Sequence, residues 1–151
     1  MTKGGEIGVE AGYRFLEHTA DVYVEARGAT LEEAFENAAL ATVEVMTDPG
    51  KVRPSIERVV EVEAGDLEGL LYGWLEELIA EFDMSGVIYS RFRVTMIEEG
   101  EGGLRMRATV SGEEYDALRH EQRTGVKAVT FHNMEVVSLV DGYLLRFVLD
   151  V

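Results

Sequence analysis

Two aspartates, a lysine and a histidine are the groups in this chain best placed to do chemistry. The run FLEHTADV sets Glu17, His18, Thr19 and Asp21 in a short polar link between apolar stretches. Asp21, with His18 near it, has the donors of a metal or proton-transfer site; the same residues also suit a turn in which Thr19 and Asp21 accept from local backbone amides. Asp150 follows the apolar run YLLRFVL and precedes Val151, whose terminal carboxylate puts a second negative charge within a residue of the first. Such like charges repel. A divalent cation that prefers oxygen ligands would relieve them, whereas a solvated terminus would need no ligand. Lys127, one of only three lysines, lies in the apolar stretch GVKAVTFH. Its ammonium either meets carboxylates or a partner's anionic group, or snorkels at a strand edge while its stem packs on the sheet.

Other chemistries have little support. His132 closes the same stretch and His120 lies in the polar run DALRHEQRTG, and neither belongs to a recognisable triad. No serine has a nucleophile-elbow context, and the glycines form neither a phosphate-cradling loop nor a dinucleotide fingerprint. The absence of cysteine excludes a disulfide framework, a zinc–thiolate site and a thiol nucleophile. Any metal must therefore use oxygen or imidazole ligands. A net charge of -15 repels polyphosphate, so a basic protein partner fits better than direct, strong nucleic-acid binding. A solubilising surface would account for much of the same acidity.

The elements that must hold these groups follow from periodicity. A chain of 151 residues with 46% hydrophobic and 28% charged residues suits one folded domain. Residues 1–12, rich in glycine and without periodicity, read as a flexible N-terminal arm, and residues 13–151 as a single domain. The N-terminus lacks an apolar core of the signal-peptide kind and no apolar run approaches a membrane span, so a cytoplasmic protein with no membrane partner is expected.

Short strands are predicted over residues 13–16 and 22–27. Thr30 and Glu33 form a capping-box pattern ahead of a helix carrying Leu31, Ala34, Phe35, Ala38, Thr42, Val45 and Met46, which Asp48-Pro49-Gly50 stops. A strand over 58–63 precedes a helix capped by Asp66 and ended at Ser85-Gly86. Two hairpins follow, one turning at 100–103 and one at Asp141-Gly142, where a type I′ turn is expected. The whole reads as an α+β, mainly antiparallel sandwich with two amphipathic helices packed on one sheet face.

Taken together, FLEHTADV, ATLEEAFENAA, GVKAVTFHNMEV and the final FVLDV resemble the archease family in order and spacing, over nearly everything after the arm. The resemblance implies an accessory protein, not itself an enzyme, of the GTP-dependent tRNA-splicing RNA ligase. In that role it would speed guanylylation of the ligase's histidine and permit multiple turnover. It carries over Asp21, Lys127 and Asp150 as the ligase-activating residues. Asp21, Asp150 and the Val151 carboxylate become the ligands of a divalent metal ion, whether calcium, magnesium or manganese, and His18 and His132 candidates to support those ligands. Phe131 stands where many relatives carry tyrosine. A second role proposed for the family is that of chaperone or specificity modulator of a tRNA methyltransferase.

Overall fold

The computed structural model describes residues 12–16 and 21–151. The expected arm lies outside the described residues except for Gly12, whose carbonyl accepts from the Arg27 N–H at 2.6 Å. Glu17, His18, Thr19 and Ala20 also lie outside them.

In chain order the elements are β1 (Tyr13–Leu16), β2 (Val22–Gly28), α1 (Leu31–Met46), a 3₁₀ turn (Pro49–Lys51) and β3 (Ile56–Ala64). They continue with α2 (Leu67–Ser85), β4 (Val87–Gly100), β5 (Gly103–Glu114), β6 (Ala128–Leu139) and β7 (Gly142–Asp150). Both helices start where the capping residues stand. The Thr30 hydroxyl accepts from the Glu33 N–H at 3.1 Å, while Glu33 reaches back to the N–H of Ala29, one residue before the cap. The Asp66 side chain accepts from the Gly69 N–H at 2.8 Å. At the other end of α2, Gly86 takes a left-handed φ of 75° that a side chain would resist, and its N–H bonds to Phe82 O.

The strands form two antiparallel sheets, ordered β1-β2-β7-β6 and β3-β5-β4. Helix α1 packs against β2 and β7 of the first sheet and β4 of the second, and α2 against β6 of the first and β3 of the second. The helices thus lie between two sheets, where the sequence suggested a single covered face. The reason is visible in α1, whose buried residues include Ala34, Phe35, Ala38, Ala39, Ala41, Thr42 and Val43, an arc too broad for one neighbour. Alanine keeps the helix thin enough for a sheet on each side. Trp74, Phe35 and Phe147 are the largest side chains of the shared core, and the Trp74 indole N–H donates to Phe35 O at 2.9 Å. Among the described residues no helix is long and apolar enough to cross a membrane.

The last hairpin departs from expectation. Leu139 pairs with Gly142, so the turn residues are Val140 and Asp141, and Asp141 is not in the positive-φ region that a type I′ turn needs. Gly142 is required for a different reason: a Cβ there would stand 2.4 Å from the Gly28 carbonyl oxygen of β2.

Candidate functional site

Strand β7 lies between β2 and β6, and this order brings an early segment of the chain beside its last strand. Val22 pairs with Leu149, so one further step along each strand sets Asp21 opposite Asp150. Directly opposed antiparallel residues have Cα atoms about 4.5–5.5 Å apart. On the other flank Ala128 pairs with Asp150, and the Lys127 N–H donates to Asp150 O at 2.8 Å. Asp21, Lys127, Asp150 and Val151 therefore meet at one end of the four-stranded sheet.

Alternation decides the faces. Leu149 and Val129 are buried in the core and Val22 packs against it, so Asp21, Asp150 and Ala128 belong to the face turned away from the helices. Asp150 and Lys127 are exposed, Asp21 is half-buried, and Val151 packs against the core. Among the described residues the donors at this sheet end are carboxylate oxygens, which suit a hard divalent cation such as Ca²⁺, Mg²⁺ or Mn²⁺. Among the described residues no group of three or more Asp, Glu or His side chains could hold a metal ion. A cation here would need the two aspartates together with a main-chain carboxylate such as that expected of Val151.

The supporting histidines fare differently. His18 lies outside the described residues. His132 is exposed on β6 beyond the Thr130–Val148 pair, inside an irregular stretch ending at Glu135, and its N–H donates to the Thr130 hydroxyl at 3.0 Å. The neighbouring Asn133 has a φ of 59°. Phe131 stacks on Tyr72 of α2 with ring centroids 4.2 Å apart.

Three polar clusters escaped the sequence reading. On the face carrying Asp21 and Asp150, Glu25 is only 1% exposed and is held by Arg14, Arg27 and Arg146. Burial pushes its carboxyl up, but the hydrogen bonds from Arg14 and Arg146 reverse this and leave it below the usual range.

The second cluster joins the end of β5 to the irregular segment that follows. Glu113 accepts from both Arg119 guanidinium nitrogens, from the Arg53 N–H and from His120. Because the Asp116 N–H donates to His120 Nδ1 at 2.8 Å, the ring hydrogen is assigned to Nε2, which donates to Glu113. Arg119 above all, then the Arg53 amide, hold the Glu113 carboxyl well below its ordinary value.

The third cluster centres on Glu44 of α1, which accepts from the Tyr13 hydroxyl at 2.9 Å and from Arg123 at 2.6 Å. Burial and the Glu44 carboxylate push Tyr13 up to about 12. The mixed charges of DALRHEQRTG were the only sequence sign of the second and third clusters. In the third cluster Glu44 pairs with Tyr13 and Arg123, 31 and 79 positions away, and in the second Arg119 and His120 reach Glu113 from an irregular segment, so periodic spacing could not pair them.

Residues 13–151 match the Archease protein family (MTH1598/TM1083). The chain is 48% identical over 139 residues to a "Protein archease" of Thermococcus gammatolerans, covering 91% of this chain and 97% of that protein. It is 43% identical over 139 residues to another of Sulfurisphaera tokodaii, covering 92% and 98%. The solution structure of protein 1598 of Methanobacterium thermoautotrophicum superposes with a TM-score of 0.81 at 43% identity, over 93% of this chain and 99% of that one. A Thermotoga maritima archease, described as a possible chaperone, shares the fold at a TM-score of 0.61 and 21% identity, over 90% of this chain and 94% of that one.

Proposed function

Since the chain belongs to the archease family, we propose that it acts as an accessory activator of the GTP-dependent tRNA-splicing RNA ligase. The covalent chemistry belongs to the ligase. This chain supplies an acidic sheet end, where Asp21, Asp150 and the Val151 carboxylate hold a divalent cation and Lys127 stands next to them. The cation, when bound, supplies a positive centre for phosphate oxygens. Asp21 and Asp150 hold it, and Lys127 offers a mobile ammonium to the same anionic group. The acidic surface favours encounter with a basic partner.

The observation that carries this reading is the strand order that brings Asp21, Lys127 and Asp150 together across β2, β7 and β6. Isolated acidic turns would not need three separate segments to converge. Single-turnover guanylylation of the ligase tests the reading with Asp21→Ala, Lys127→Ala and Asp150→Ala. Each substitution is expected to reduce stimulation by about tenfold or more, the scale of a lost charge-assisted contact. Full stimulation by all three would overturn it.

A second reading, chaperone or specificity modulator of a tRNA methyltransferase, has in its favour the description of the Thermotoga maritima protein as a possible chaperone. It requires binding but no cation. Client solubility that persists in chelator, with no ligase stimulation under any condition, would put it first.

A further inference from the structure

Lys127 is delivered to the sheet end by a segment, residues 115–127, that contains no helix or strand. What holds such a segment in place is therefore a question about individual bonds. The last four carbonyls of α1 have no partners within the helix, as at any helix C-terminus. The Val43 carbonyl is met locally by the Thr47 N–H at 2.9 Å. The other three are met from far along the chain. Glu44 O accepts from Arg123 Nη1 at 2.7 Å, Val45 O from the Thr124 N–H at 3.0 Å and Met46 O from the Arg123 N–H at 3.1 Å.

No basic residue of α1's own last turn serves this end, and a guanidinium here also complements the negative end of the helix dipole. The same Arg123 side chain bonds the Glu44 and Glu121 carboxylates. Thr47, fully buried, donates its hydroxyl to Glu121 O at 2.6 Å.

Packing does little of this work. A cavity of about 120 Å³ lies against the segment, lined by Met46, Phe82, Ile88, Tyr115, Arg123 and Thr124 among others. At Gly125 an added Cβ would meet nothing within 4 Å. After His120, 3% exposed and bonded to Glu113, the chain is next buried at Val126, 6% exposed, just before Lys127.

We infer that Arg123 is a positioning residue for Lys127, acting as the remote C-cap of α1 and fixing the segment that carries the lysine to Asp150. Glu44 is its counterpart. Through Tyr13 the same carboxylate holds β1, the strand that precedes Asp21 in the chain. One carboxylate thus joins the segment that carries Lys127 to the start of β1. The consequence for activation rests on the role proposed above for Lys127, whereas the positioning itself does not.

Two measurements on the full chain separate these levels. The first is amide hydrogen exchange. In Arg123→Ala the protection of the Lys127 N–H, which donates to Asp150 O, should fall by roughly tenfold or more, while amides of α2 and β5 hold within about twofold. Glu44→Gln, which keeps the guanidinium, should lower the same amide less. Arg123→Lys should restore part of the protection, since an ammonium can serve one acceptor but not fork two carboxylates. Lys127 protection unchanged in both Arg123→Ala and Glu44→Gln would overturn the inference.

The second is ligase stimulation in a double-mutant cycle. If Arg123 acts through Lys127, Arg123→Ala should weaken stimulation in the parent and add nothing in a Lys127→Ala background. Additive losses would overturn the action through Lys127. If the exchange result holds while Lys127→Ala stimulates fully, Arg123 still positions the segment and it is the activation reading that fails.

Discussion

Glu113 gathers a bidentate arginine, a backbone amide and a histidine, and this concentration of donors makes it an acid-sensitive residue. Its folded carboxyl titrates below the 4.5 of an unperturbed glutamate. The stability it contributes is therefore complete above that value, and is lost as pH falls through the lower folded one. Glu113→Gln should flatten the acid limb of a plot of melting temperature against pH below about pH 4.5, besides lowering the plateau. A variant whose acid limb matches the parent's in slope would show that other carboxylates set it. Glu25 acts in the same direction, because its folded carboxyl is also held below the usual range. At this scale the sequence was legible only in part. Asp21, Lys127 and Asp150 stood out because an isolated charge next to an apolar run is conspicuous in any window. Glu25 and Glu113 did not, because the groups that answer them, arginines of β1 and β7 for Glu25 and Arg119 of an irregular segment for Glu113, carry no periodic signal that would pair them.

The helices show how local pattern and tertiary placement divide the information. Thr30, Asp66 and Gly86 are local signals, and they mark the ends of α1 and α2 within a residue. That α1 faces a sheet on each side is written more faintly, in alanines at positions where one stripe would have needed only polar cover. Ala38 is fully buried between those layers. Ala38→Leu should cost about 1–3 kcal/mol in urea denaturation, because neither sheet can retreat without unseating the other. A loss under about half a kcal/mol would mean that the middle layer is looser than its burial implies. The partition of the seven described strands into sheets of four and three could not be read from alternation, which fixes a strand's faces but not its neighbours. The turn at Val140-Asp141 slipped for a related reason: the Asp-Gly signal was real, but Gly142 answers to the Gly28 carbonyl and not to the turn.

On the scale of the whole molecule, the acidic end exists only when both sheets and the layer between them are in place. A ligand that requires it must then stabilise the entire fold by mass action, by about 2.7 kcal/mol at a hundred times its dissociation constant. Titrating Ca²⁺, Mg²⁺ or Mn²⁺ should raise the melting temperature of the parent and leave unchanged that of a chain lacking Asp150 and Val151. An equal rise in both would move the cation elsewhere. The net charge of -15 belongs to this scale too, because it keeps the surface soluble and sets the sign of any partner without choosing a residue. The position of β7 has a consequence in time. A ribosome delivers β2 early and β7 last among these elements, yet β7 is the strand that joins β2 to β6. During synthesis the four-stranded sheet waits as a β1–β2 pair and an unattached β6, with α1 covered on that side by β2 but not yet by β7. Asp21 meets Asp150 only at the final step, so a chain released before β7 has no acidic end to offer and cannot compete with finished molecules for a partner.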